Sequence, residues 1–293
     1  MSTLSPASAT ARSFSANRLF RVLRSGLQMA QAVIPYWAPR VAARVFCTPV
    51  PTKLATRHAR PPPGVRIESL PFERASITLY HWPARSDAPQ LLMTHGWGGW
   101  GMQMASLADA LSAAGWAVVV IDQPAHGRSA AWSSTLPQFV RALGYAAARL
   151  GRVQALVGHS MGGAAACVAA ANGLALRKLA LLSAPVSMLE VTHDYATAFG
   201  LRESLRARMV ALLEGREGAV FERMAAQHTA PRVTAPTLVV HDHDDSTVPY
   251  AAAQVLMAAL PDAQLFSTRG LGHRRVLKDR AVIEALVRFV GQP

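Results

Sequence analysis

Acidic residues are missing from the first 67 positions of this 293-residue chain, which hold ten arginines or lysines before the first acid, Glu68. Residues 68–293 hold twenty basic and seventeen acidic residues. The formal charge of +13 therefore belongs mostly to an N-terminal arm, and the rest of the chain is close to balanced. A balanced body lacks the single-sign field that nucleic-acid binding needs, so no nucleic-acid partner is expected. Cysteine is scarce as well. Cys47 and Cys167 stand far apart without metal-ligand spacing, which excludes a disulfide scaffold and allows a reducing compartment. No signal-peptide h-region is present, and a cytoplasmic location is expected. Charge is absent from Val153 to Leu176, but Gly158, His159, Ser160, Gly162 and Gly163 interrupt that run. It divides into a buried strand and a buried helix better than it spans a membrane. With 51% hydrophobic and 16% charged residues, the chain can bury a sizeable core.

What is present begins with a Ser-, Ala- and Thr-rich stretch, residues 1–16, expected to be mobile. Asn17 can cap a following helix, in which Phe20, Leu23, Leu27, Ala30 and Ile34 recur at helical spacing up to Pro35. A second apolar stretch, Trp37 to Phe46, carries Arg40 and Arg44. Three readings of this arm stay open: a helical arm packed on the body, peripheral contact with an anionic membrane surface through residues 1–60, and an organellar transit peptide. Pro61-Pro62-Pro63-Gly64 reads as a linker. From there strand and helix signals alternate. Strands are expected at 65–70, 76–82, 90–94, 116–121, 153–157, 178–182, 237–240 and 263–266. Helices are expected at 102–114, 136–150, 164–171, 251–260 and 276–290, with a mostly helical stretch over 188–231. This alternation predicts an α/β fold with a mostly parallel sheet covered on both faces. The expected organisation is a basic helical arm over 1–60 and a catalytic-sized domain over 61–293, with 188–231 as a helical cap insertion.

In such a sheet, ligands bind beyond the carboxyl ends of the strands. The polar residues of interest gather there: His95 and Trp97, Asp122, Ser160, the cluster His241 to Asp245, and His273. The stretch Gly158-His159-Ser160-Met161-Gly162 places a small residue on each side of a serine between a strand and a helix. That pattern suits a sharp, strained turn that exposes the hydroxyl. A free serine hydroxyl is barely nucleophilic at neutral pH, so it needs a base and an orienting acid. Asp245 and His273 follow in the chain.

Here the chain resembles the α/β-hydrolase superfamily, through five motifs in order over about residues 65–290. His95-Gly96-Trp97-Gly98-Gly99 resembles its oxyanion loop. Asp122-Gln123-Pro124-Ala125-His126-Gly127-Arg128-Ser129 resembles its Asp-x-x-Gly-x-Gly-x-Ser turn, with Ala125 in place of the first glycine. Gly158 to Gly162 resembles its nucleophile turn. His241 to Pro249 resembles its His-Gly-x-x-Asp-x-x-Val-Pro acid loop, with Asp242 in place of glycine, and Gly272-His273 closes the set. The resemblance implies an α/β-hydrolase fold and a triad of Ser160 as nucleophile, His273 as general base and Asp245 as its orienter. It implies the backbone N–H groups of Trp97 and Met161 as oxyanion donors. It further implies hydrolysis of a small-molecule acyl substrate (a carboxylic ester, or a thioester, amide or lactone) with no metal or organic cofactor. Nothing in it sets an oligomeric state.

Alternatives remain beside this reading. A non-catalytic binding or membrane-adaptor protein could keep the same fold. Gly96-x-Gly98-x-x-Gly101, with Asp122 at the end of the next strand, satisfies a dinucleotide fingerprint locally and would suit an NAD-dependent oxidoreductase. That reading leaves Ser160, the acid loop and His273 without a role. His241-x-His243-x-Asp245 has the alternate spacing of two-zinc hydrolases, but Ser246 stands where a histidine should follow. Asp122, Asp242 and Asp244 read as loop hydrogen-bonding groups, His159 as a packed side chain, and Arg274 and Arg275 as a solvated helix start. In the insertion, Met188, Tyr195, Phe199, Leu205, Met209 and Leu213 could line an acyl pocket or simply pack helices together.

Overall fold

A computed structural model describes residues 18–49, 54, 56, 58 and 60–291. The tail expected to be mobile, residues 1–16, and the expected Asn17 cap lie outside the described residues. The chain divides into two compact units, one of residues up to 48 together with 187–225, the other of 49–186 together with 226–293.

The larger unit is built on one eight-stranded sheet. Its strands are β1 (Arg66–Phe72), β2 (Ala75–His81), β3 (Gln90–Thr94), β4 (Ala117–Asp122), β5 (Val153–His159), β6 (Lys178–Leu182), β7 (Thr237–Asp242) and β8 (Ala263–Thr268). Their spatial order is β1-β2-β4-β3-β5-β6-β7-β8. β2 pairs antiparallel with both of its neighbours, and every pair from β4 through β8 is parallel. The central strands are apolar on both faces: Val118, Val119, Val120 and Ile121 of β4 are all buried. That is the mark of a sheet with helices on each side. In this unit the helices α3 (Ala105–Ala113) and α9 (Arg280–Val290) cover one face, where Leu107, Leu111, Val282 and Leu286 pack with Met93, Val118, Val120, Val157 and Val240. The alternate residues Leu92, Val119 and Leu156 are equally buried and point to the other side. The other long helices of the unit are α4 (Leu136–Leu150), α5 (Met161–Ala171) and α8 (Ala251–Ala259).

Local chemistry sets the helix ends. Thr135 accepts a hydrogen bond from the Gln138 N–H (3.3 Å) and starts α4, with Pro137 in its first turn. The last helix is shorter than the pattern from 276 suggests, because Asp279 accepts from the Val282 N–H (3.1 Å) and caps it. The residues before it form a separate single turn, Gly272–Arg275. The helix expected from 102 likewise begins as a 3-10 turn over 101–104 and becomes α-helical at Ala105.

The smaller unit joins the N-terminal arm to the insertion. Its long helices are α1 (Arg18–Val33), α2 (Ala38–Phe46), α6 (Met188–Phe199) and α7 (Glu203–Glu217). Leu27, Ala30, Ala38 and Ala42 share a core with Leu205, Met209 and Leu213. Phe20 meets Phe199 at 4.8 Å between ring centroids, and Tyr195 Oη donates to the Ala42 carbonyl (3.1 Å). Gln31 donates to the Gly200 carbonyl (3.1 Å) and accepts from the Arg202 N–H (3.0 Å). Of the apolar side chains that the sequence offers for an acyl pocket, Leu205, Met209 and Leu213 lie in this core, and Met188, Tyr195 and Phe199 pack against it. The unit takes in residues 187–225, where the sequence suggests an insertion over 188–231. Residues 226–231 belong to the larger unit.

Candidate active site

In the sheet order, β3 and β5 are neighbours, and the connection leaving β3 runs to β4 on one side while the one leaving β5 runs to β6 on the other. The crevice beyond the carboxyl ends of the strands at such a reversal is where open α/β sheets bind ligands. His95 to Gly101 leave β3 at this point, and Ser160 leaves β5. A separate cavity of about 400 Å³, lined by Lys178, Leu238, Phe266 and Arg288 among others, lies toward the amino ends of β6 to β8. It is away from this crevice.

Ser160 sits at φ 54°, ψ −128°, a backbone conformation that a residue with a Cβ adopts only when its surroundings force it. The forcing is visible. Its N–H donates to the Leu182 carbonyl (2.8 Å), and its carbonyl accepts from the N–H groups of Gly163 (2.8 Å) and Ala164 (3.1 Å) as α5 begins. The turn also presses against the exit of β3. A Cβ on Gly162 would stand 2.3 Å from the His95 carbonyl oxygen, and one on Gly96 would stand 2.6 Å from Ser160 Cβ. Only glycine at these positions lets the serine and the 95–101 loop approach so closely. Met161 is the first residue of α5, so its N–H has no acceptor one turn earlier in the helix.

The 95–101 loop is held from below. His95 Nδ1–H donates to the Gly96 carbonyl (2.8 Å), and its Nε2 accepts from the Gln123 N–H (3.1 Å). Burial keeps this imidazole neutral by lowering its pKa. His126 Nδ1–H donates to the Pro124 carbonyl (2.9 Å), and its Nε2 accepts from the Gly98 N–H (3.0 Å). Asp122 is fully buried. Its carboxylate accepts from Tyr80 Oη (2.7 Å), the Gly101 N–H (2.6 Å) and the Arg128 N–H (2.8 Å). The acid that a dinucleotide fingerprint would aim at a ribose is therefore spent on holding the glycine loop. Trp97 lies in that loop with its ring 5.1 Å from the His126 ring. His126 carries no role in the sequence reading, and its place inside the 122–129 motif is the signal that could have found it.

On the other side of the crevice, His273 Nδ1–H donates to Asp245 Oδ2 (2.8 Å). Asp245 Oδ1 accepts from the N–H groups of Thr247 (2.8 Å) and Val248 (2.9 Å). Burial pushes the Asp245 carboxyl upward, but the His273 imidazole and the two amides outweigh it. The net result is a carboxyl below the ordinary range, ionised at neutral pH. His159 Nε2–H donates to the His273 carbonyl (2.8 Å), with the two rings 4.8 Å apart. The residue next to Ser160 thus ties the His273 backbone beside the serine turn. Burial pushes the His159 imidazole down to about 3, so it stays neutral, and its Nδ1 is buried without a hydrogen-bond partner.

Asp242, the departure from the family pattern, links the acid loop to the histidine loop. Oδ1 accepts from the N–H groups of Asp244 (2.9 Å) and Gly272 (2.9 Å), and Oδ2 from Thr268 Oγ1 (2.6 Å) and the Leu271 N–H (3.0 Å). Burial works against its ionisation, yet these four donors hold its carboxyl below the usual range. Asp244 adds a bond from the Gly270 N–H (2.8 Å). The sequence marks Asp242 and Asp244 as loop hydrogen-bonding residues, and the loop they fix is the one that carries His273. His241 Nε2–H donates to the Val248 carbonyl (2.9 Å).

Chemically, the crevice brings together a hydroxyl on a strained turn, an imidazole oriented by a buried carboxylate, and a loop of backbone amides. Residues 89–206 match the family described as "alpha/beta hydrolase fold", and residues 220–293 match the one described as "TAP-like protein". No curated protein matches the chain. Among solved structures it is similar to a membrane phospholipase A described as a bacterial virulence factor, at 19% identity and a TM-score of 0.62, covering 94% of this chain and 98% of that one. It is similar to Est1E from Butyrivibrio proteoclasticus, solved with ferulic acid bound, at 20% identity and a TM-score of 0.62, covering 76% and 99%. It is also similar to the thioesterase domain from the curacin biosynthetic pathway, at 19% identity and a TM-score of 0.56, covering 76% and 99%. At these identities the likeness is one of fold. The first match covers enough of the chain to take in part of the segment before β1.

Proposed function

The chain belongs to the α/β-hydrolase superfamily, and from that premise we propose that it is a serine hydrolase that cleaves a carboxylic ester, or a related thioester, amide or lactone, through an acyl-enzyme on Ser160. The observation that carries this reading is the 2.8 Å contact of His273 Nδ1 with buried, ionised Asp245, on a backbone that His159 ties beside Ser160. With Nδ1–H donated to Asp245, His273 keeps a lone pair on Nε2, the form a general base needs. In the proposed cycle Ser160 Oγ attacks the substrate carbonyl and its proton passes to His273 Nε2. The oxyanion is received by the N–H groups of Met161 and Trp97, and His273 then returns the proton to the leaving group. Water repeats the sequence on the acyl-enzyme and frees Ser160. Asp245 stays ionised throughout and stabilises the imidazolium that forms. Further support comes from the family matches, and a lipase-, esterase- or thioesterase-type substrate fits the neighbours of the same fold.

The test is labelling with a fluorophosphonate probe. The wild-type protein is expected to label, and Ser160→Ala to lose the label together with ester turnover, by on the order of 10⁴-fold or more. Labelling that survives Ser160→Ala would move the nucleophile elsewhere. A folded wild-type protein that never labels would favour a binding protein on this scaffold.

A further inference from the structure

Helix α1 carries two neighbouring apolar stripes. One is buried, with Leu27 and Ala30 in the core of the smaller unit and Phe20 against the Phe199 ring. The other carries Val22, Gly26, Met29 and Val33 at intervals of four, three and four residues, which forms a single stripe along the helix. Val22, Met29 and Val33 are 67, 66 and 71% exposed. The stripe continues past the helix end into Ile34, Tyr36 and Trp37, which are also exposed, Trp37 by 55%. An exposed methionine, two valines, an isoleucine, a tyrosine and a tryptophan on neighbouring positions are more than the scattered apolar residues of an ordinary surface. The polar groups around them are of one sign. Arg18, Arg21, Arg24, Arg40 and Arg44 are exposed, and no acidic residue occurs in α1 or α2. Arg40 lies over both the Tyr36 and Trp37 rings, 5.2 and 5.0 Å from their centroids. Its charge is therefore held at the edge of the aromatic patch.

We propose that the arginine-flanked apolar face of α1 and α2, centred on Val22, Met29, Val33 and Trp37, docks on an anionic lipid membrane surface. The chemistry favours a lipid surface over a protein partner. Membrane interfaces favour tryptophan and tyrosine at the headgroup level, with arginines reaching back to phosphates. The face is a helix lying flat, with one side already occupied by the unit's own core. Among the described residues, no helix is long and apolar enough to cross a membrane. The contact is accordingly peripheral and reversible, with affinity that falls as salt screens the arginines.

The experiment is co-sedimentation of the full chain with large unilamellar vesicles of phosphatidylcholine, with and without phosphatidylglycerol. Wild-type protein is expected to sediment with the anionic vesicles and to be released at high salt. Val22→Gln/Met29→Gln/Trp37→Gln is expected to lose about ten-fold or more in partitioning. Arg18→Gln/Arg21→Gln/Arg40→Gln is expected to lose a comparable factor on anionic vesicles only. These side chains point away from the core, and turnover of a soluble ester should be unchanged in both variants, which separates this proposal from the catalytic one. The second set leaves the apolar stripe intact, so it decides the matter should the first set misfold. Sedimentation that is equal in wild type and variants, absent in wild type, or equal on neutral vesicles would overturn the proposal. So would a wild-type dimer by size exclusion that the first variant converts to monomer, since a second copy would then be the occupant.

Discussion

Asp242 shows how much one side chain can organise at this edge of the sheet. Its two oxygens take four donors from two loops, so Asp242→Ala leaves three amides and a hydroxyl without their acceptor. The expected cost is about 2–4 kcal/mol of stability, with kcat down by on the order of 10²-fold because the turn bearing His273 loses its register on Asp245. Asp242→Asn should not restore the rate, because its amide –NH2 would face donors. Denaturant titration and steady-state kinetics on a soluble ester check both parts, and KM should move much less than kcat. The positions of the candidate site are legible in the sequence because they follow the carboxyl ends of parallel strands, where open α/β sheets bind ligands. Their supports are less so. His126, His159 and Asp242 act on backbone groups 28 to 114 residues away or on a neighbouring loop, and no local pattern records such a partner. Ala125 keeps φ +69°, the left-handed backbone of the glycine it replaces. The family turn is thus retained at a position where the residue type alone argues against it.

Among the elements, strands and helices follow their periodicities, and a side-chain cap decides where the last helix begins. α9 starts at Arg280, behind its cap Asp279, and not at 276. Asp279→Ala should cost about 1 kcal/mol, the usual loss for an N-cap, read as a lower thermal midpoint. Because the cap lies outside the crevice, kcat at temperatures well below that midpoint should be nearly unchanged. The partnership of α1 and α2 with α6 and α7 was not legible. Amphipathic periodicity says that a helix has an apolar face but not which distant helix covers it. In α1 a second apolar face made the wheel still less informative.

For the whole molecule, the buried histidines set a direction for stability against pH. Burial lowers the pKa of His95, His159 and His241, so the folded protein holds them neutral. An unfolded chain protonates each near the ordinary histidine value of 6.5. Groups with depressed folded pKa values contribute stability that is complete above that value and is lost as pH falls. Below about pH 6 the unfolding free energy should therefore decline by on the order of 1.4 kcal/mol per pH unit for each such histidine. Asp242 and Asp245 add to the loss only below the ordinary aspartate value of 3.8, since their folded pKa values are lowered too. Thermal midpoints measured from pH 8 to pH 4 check this. A flat profile would mean that these imidazoles take up protons without unfolding.

The smaller unit is assembled from two stretches of chain that flank most of the sheet, up to residue 48 and from 187 to 225. During synthesis α1 and α2 leave the ribosome ahead of the helices that cover them, which follow only after β1 to β6 have been made. At ordinary translation speeds the nascent chain carries these uncovered helices for on the order of ten seconds. Through that interval both apolar faces of α1 are open to water, to chaperones or to a nearby bilayer.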